Sequence, residues 1–470
     1  MDKKDIEEIL NTSLKTGADF SEIFLEKTLI KKYVYLNDKI DEITTNYLDG
    51  IGIRIALEKN SYYCHTNNLD KANLNILVND ITSNIDTKIK YKNIKLNDFV
   101  MYNHDIMVAH DNLSDDLKKD FLNKFNFAIK KENNNIEQVR IILYEYDQNV
   151  NIANHTGLYV GENRILTRVI VDVVAKKDQN SINVIKLYGK AIGYELLDDI
   201  DILEEAKKIG KEVDNKLKAK PCFGGEMPVV IESGFGAVIF HEACGHAMEA
   251  TSVADNLSVL SGKINEKIAN SKVNIIDNGS IDKEWGSTII DDEGMETQKN
   301  ILIENGILKN YLIDELNNRK LKMQPTGSSR RENYHFTPTS RMNNTYLKPG
   351  NDNIESMIKS IDFGLYAKSL SGGSVDTNTG EFNFFVDEAY MIENGKITYC
   401  VKGASLIGST LEILNNVEAV SNNLSFHSAF CGSISGWVPV TVGQPTIKVS
   451  KILVGGEKNA KWIDIIRWKK

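Results

Sequence analysis

Along the first 220 residues the apolar positions switch between a helical period and strict alternation. Asp5 to about Leu14 carries apolar residues at helical spacing and stops near Gly17, which predicts an amphipathic opening helix. FSEIFLEK (20–27) and DGIGIRIAL (49–57) alternate and are rich in β-branched residues, so they read as strands. The helical period returns in DDLKKDFLNKFNFAIKKEN, Asp115 to Asn133, and gives way to strand patterns in VRIILYEY (139–146) and RILTRVIVDVV (164–174). A charged helical stretch from Tyr194 to about Ala219 then runs into KPCFGGE, whose Pro and Gly residues punctuate the chain near residue 221.

Beyond that point the pattern changes to short strands joined by turn dipeptides. IENGILKNYLI (303–313) and IENGKITYCVK (392–402) each set Asn-Gly between alternating apolar arms, a strong hairpin signal. TNTG (377–380) precedes the strand-like EFNFFV. The expected fold is therefore α+β. A mixed helix and antiparallel-sheet domain, 1–220, precedes a β-rich domain, 221–470, that carries the candidate metal-site helix.

Composition narrows the partners. With 470 residues, 41% hydrophobic, the chain can build two or three full cores. Its 56 basic and 65 acidic residues give a formal charge of -9 with no long Lys/Arg cluster, which speaks against nucleic acid or an anionic membrane. No stretch approaches the ~20 apolar residues of a membrane span, and MDKKDIEEIL lacks a signal-peptide core, so a cytoplasmic protein is expected. Five widely spaced cysteines, 64, 222, 244, 400 and 431, do not suggest a disulfide framework.

MPVVIESGFGAVIFHEACGHAMEA (227–250) reads as a strand, a turn and a helix whose N-cap would be Ser233. Its HEACGH resembles the zinc-binding H-E-x-x-H pairing but has one residue too many between the histidines. At about 100° per residue an ideal helix would place His241 and His246 roughly 140° apart, too far to share an ion. The residues alone leave two readings: unrelated core histidines, or a helix with a one-residue π-type bulge, eased by the backbone freedom of Gly245, that turns both rings to one metal. A catalytic zinc takes about three protein ligands. Glu249, His427 and Cys431 are the candidates for the third, whereas Cys244 reads as a small buried residue. Arg330, Arg331, Tyr334 and His335 offer groups that could hold a carbonyl oxygen or a peptide's charged end. SGFG and Gly372-Gly373 lack the Gly spacing and Lys of a phosphate loop.

HEACGHAME, DDEGMETQKNILIENGILKNYLID, PTGSSRRENYHFTPTSRMNNTYLKPG, GGSVDTNTGEF, VKGASLIGST and CGSISGWVPVTVGQPTIKV, in that order, resemble the TldD/PmbA family of metalloproteases on its TldD side. The match is specific from about residue 220 to 456 and looser earlier, where TGADFSEIFLEK and GIGIRIA fit the opening strands. The resemblance implies a zinc peptidase with one ion per catalytic chain, held by His241, His246 and Cys431, with Glu242 as general base. It also implies unstructured or modified peptide substrates, cleaved within a dimer made with a PmbA-type partner or a second copy. Such a donor set favours zinc, with iron as the other metal it accepts. The chain departs from the family pattern at Ala250-Thr251, where Gly-Asp is usual, at Ser433, where Lys is usual, and at Gly436, where Gln is usual. The alternative reading is a non-catalytic peptide-binding subunit with a structural or empty metal site.

Overall fold

The structure, a computed structural model, describes residues 1–83, 85, 87 and 93–456. The last residues of the expected second domain, 457–470, lie outside the described residues. The fold is α+β.

A seven-stranded sheet dominates the first half. Its strands run in the order Asn60–Thr66, Lys39–Leu57, Phe20–Leu36, Ile136–Asn154, Tyr159–Lys177 and Val100–Asn103, with Asn180–Lys190 also paired to Tyr159–Lys177. All pairings are antiparallel except that of Val100–Asn103. Helices cover one face of the sheet, and residues of the second half, Ile290 and Tyr334 among them, pack on part of the other. Helices Lys3–Ser13 and Lys71–Thr82 bring Ile6, Ile9, Leu10, Leu74 and Val78 against Ile23, Ile51, Ile53 and Ile55. Helices Asp115–Glu132 and Ile202–Leu217 cover Val139, Ile141, Leu143 and Val169 with Leu122, Phe125, Ile129, Ile209 and Val213. Asp2, Ser114 and Asp201 cap helix N-termini, each accepting from backbone N–H groups that the helix leaves free. The Asp201 cap divides the expected 194–219 helix into Glu195–Asp198 and Ile202–Leu217.

The second half folds into a six-stranded and an eight-stranded sheet around one large core. In the six-stranded sheet Ser425–Ser433 is an edge strand, paired only with Gly436–Gln444, which in turn lies parallel to Asn344–Leu347. Both Asn-Gly turns form as the pattern predicts, with φ of 51° and 80° at Asn305 and Gly306 and 49° and 72° at Asn394 and Gly395.

Buried charges lock the first sheet to the second half. Arg54 reaches Glu22 at 2.9 Å and Glu293 at 2.6 Å, Arg331 reaches Glu22 at 2.7 Å, and Arg164 reaches Asp292 at 2.7 Å. The arginines of the 330–335 loop, which could have held a carbonyl or a charged end, are spent within the protein. Arg330 donates to the Met342 and Pro439 carbonyls and Arg331 is spent on Glu22 and the Asp292 carbonyl, because a buried guanidinium must satisfy its donors internally. Tyr334 is buried with its N–H on Glu26, and His335 stacks edge-on to His65. Among the described residues no helix is long and apolar enough to cross a membrane.

Candidate metal centre

Strand Gly225–Ile231 ends in a turn at Gly234, whose φ of 94° favours glycine. Ser233 is not the helix cap that the pattern predicts. Asn423 donates to its hydroxyl, and the following turn begins at Phe235 with no side-chain cap. The segment then changes pitch three times between Phe235 and Met248. It has a 3-10 turn at Phe235–Ala237, an α turn at Val238–Phe240, a π turn at His241–Gly245 and a 3-10 turn at His246–Met248.

The π turn is the bulge that the extra residue calls for. The His246 N–H bonds the His241 carbonyl, five residues back, so the two side chains return to one face. Their ring centroids lie 5.2 Å apart at 81°. Gly245 serves this turn differently from the expectation. Its φ of -58° is ordinary helix, so backbone freedom is not needed. The sulfur of Met342 occupies the space where a Cβ at residue 245 would stand, and only glycine admits it.

Strand Ser425–Ser433 and strand Gly436–Gln444 form a hairpin, with Gly436 at φ 84° closing the turn, that brings Cys431 to the π turn. The Cys431 sulfur lies 3.2 Å from His246 Nε2, and one donor atom from each of His241, His246 and Cys431 falls within 4.8 Å of the others. Glu242 Oε2 stands 3.6 Å from the same Nε2, with 24% of its side chain exposed. Glu249 is not beside the sulfur. It accepts from His246 Nδ1–H at 2.9 Å, on the opposite side of the ring, and its other oxygen has no hydrogen-bond partner. His427 is also apart from the cluster. It packs on Phe235 and lines a cavity of about 900 Å³ with Lys186, Lys190 and Ser428, where burial and the two lysines push its pKa down to about 4. Cys244 is buried with its thiol pKa pushed up, consistent with an inert core residue.

The electrostatics of the cluster suit a cation. Burial opposes charge on His246, but Glu249 and the Cys431 sulfur outweigh it and hold its pKa well above the usual value. Burial likewise opposes a thiolate at Cys431, and the two histidines outweigh that, taking its pKa well below the usual thiol range. Both ring nitrogens of His241 are buried with no hydrogen-bond partner. An unsatisfied buried polar atom costs about 1–3 kcal/mol, and an ion held with His246 and Cys431 would satisfy one of the two nitrogens. Two imidazoles and a thiolate fit zinc by softness and number.

The α+β fold presents two histidines and a cysteine to one point beside a glutamate, a set that could hold a metal ion. The comparisons give the family. Residues 224–456 match the PmbA/TldA metallopeptidase C-terminal domain and 109–220 its central domain. The chain is 31% identical to a metalloprotease TldD homolog of Haemophilus influenzae, over 94% of this chain and 93% of that one. It is 28% identical to a zinc metalloprotease TldD homolog of Saccharolobus solfataricus, over 94% and 97%. TldE from Thermococcus kodakarensis shares the fold, with a TM-score of 0.76 at 18% identity over 96% of this chain and all of that one. This chain belongs to the TldD/PmbA family of metalloproteases.

Proposed function

We propose that this chain is the catalytic, TldD-type subunit of a zinc-dependent peptidase that hydrolyses unfolded, extended or modified peptides. The observation that carries the reading is the pair of unpartnered nitrogens on buried His241, facing the ring of His246 and the sulfur of Cys431. One nitrogen of His241, Nε2 of His246 and Sγ of Cys431 would hold one ion. When bound there, zinc supplies Lewis acidity, polarising a peptide carbonyl and making water a better nucleophile near neutral pH.

Glu242 is the base. Its carboxylate reaches solvent and stands over the cluster, so it takes a proton from the attacking water as the oxygen bonds to the carbonyl carbon. The protonated carboxyl then gives that proton to the leaving amine as the C–N bond breaks. Burial of His241 and Cys431 beside it excludes bulk water from one side of the reaction. In this reading 1–220 and 221–470 are the two domains, the protein is cytoplasmic, and it works as a dimer with a PmbA-type partner or a second copy.

Glu242→Gln tests the assignment. It should keep zinc while hydrolysis of a generic unfolded peptide falls by about 10²–10⁴. Near-normal hydrolysis in the variant would refute the base, and zinc without turnover in the wild type would favour a non-catalytic peptide-binding subunit.

A further inference from the structure

We infer that Arg341 is a positioning residue for the metal centre, a single guanidinium that sets the Cys431 sulfur against His246. It does so by holding the cysteine's hairpin turn and the Glu249 carboxylate at once. This rests on the zinc reading above.

Arg341 is fully buried. Its Nη1 donates to Ser435 Oγ at 2.9 Å and to the Gly436 carbonyl at 3.0 Å, and its Nη2 donates to the Cys431 carbonyl at 2.5 Å. Three acceptors of one tight turn are thus fixed by the rigid fork of one side chain. The third nitrogen, Nε, points to the other half of the site and lies 3.7 Å from Glu249 Oε1. Neither that nitrogen nor that oxygen has a hydrogen-bond partner, so each is the other's charge balance. The second oxygen of Glu249 holds His246 Nδ1. A carboxylate on one imidazole nitrogen fixes the tautomer and turns the lone pair of the other outward, here toward Cys431. The contacts close a ring: Cys431 main chain, Arg341, Glu249, His246 and back to the Cys431 sulfur.

The neighbouring residue reinforces this. Met342 fills the space beside Gly245 in the π turn, so two adjacent residues touch both halves of the site. Lysine cannot replace the arginine. An ammonium is a point charge and lacks the planar fork that reaches the turn and the carboxylate together.

The test compares wild type, Arg341→Lys and Glu249→Gln. Two readouts are used: zinc affinity by chelator competition, and the thiolate-to-cobalt charge-transfer absorption of the cobalt(II)-loaded protein. Both variants should bind zinc about 10–100-fold more weakly. Arg341→Lys should also shift or lose the sulfur band, because the sulfur moves. A folded Arg341→Lys with wild-type affinity and spectrum overturns the inference, even if it melts at a lower temperature. Should that variant fail to fold, Glu249→Gln decides, since it keeps the shape of the carboxylate and removes its charge, and unchanged affinity there overturns the inference. Wild type that binds neither zinc nor cobalt overturns the zinc reading and this inference together; metal on wild type with unaffected variants overturns this one alone.

Discussion

Two buried clusters of ionisable side chains differ in how their groups are partnered. Between the first sheet and the second half, Arg54, Arg164 and Arg331 each reach a carboxylate, and Glu22 serves two of them. At the π turn His241 has no hydrogen-bond partner at either nitrogen. Both clusters are desolvated, so the difference lies in what they lack. In the first every guanidinium has a carboxylate, although Arg54 Nε and Nη1 and Arg331 Nε make no hydrogen bond, and it reads as an interlock; in the second, His241 has no such partner and converges with His246 and Cys431 on one point. The contrast teaches that neither buried charge nor an unpartnered buried nitrogen marks a site alone, whereas two imidazoles and a sulfur converging on one point do.

The largest expected effect separates the clusters by metal. Cys431→Ser should lose most bound zinc and with it peptide hydrolysis, with little change in the interlock; metal analysis and a peptidase assay check this. Next, Arg331→Ala should leave Glu22 to Arg54 alone and the Asp292 carbonyl without its donor, and destabilise the fold by about 1–3 kcal/mol, while zinc per folded molecule stays constant. Denaturant melts with metal analysis read both. If Arg331→Ala emptied the metal site, the two clusters would not be independent. Gly245→Ala should cost about 1–3 kcal/mol through the clash with Met342, and it should loosen zinc binding because the π turn must shift.

The smallest effect is one of pH. Asp277 is buried beside the site, and burial raises its carboxyl pKa to about 6, against hydrogen bonds from Thr345 and the Asn343 N–H that lower it. A folded-state pKa above the unfolded value of about 3.9 means the native protein binds this proton more tightly, so stability falls as pH rises from about 4 to about 6. In the metal-free protein Asp277→Asn should flatten that part of the stability profile, as thermal melts across the range would register.

Much of this contrast was legible in the sequence, for physical reasons. Alternation marked the strands because one sheet face is more deeply buried than the other, although Phe20–Leu36 runs well past FSEIFLEK through a half-buried stretch. Five-residue spacing pointed to the π turn because an ideal helix has no other way to bring the rings together. Local patterns did not disclose the roles of Arg330, Arg331 and Arg341. A guanidinium acts through whatever the fold brings to it, and Arg341 meets a carbonyl 90 residues away. The sign of Gly245 was legible and its cause was not, since the Met342 sulfur arrives from another segment.

The zinc-edge X-ray absorption spectrum of the purified protein tests the central claim most directly. The account predicts one sulfur at about 2.3 Å and two imidazole nitrogens at about 2.0–2.1 Å around a single ion. A zinc shell with no sulfur, or no zinc retained at all, would contradict it.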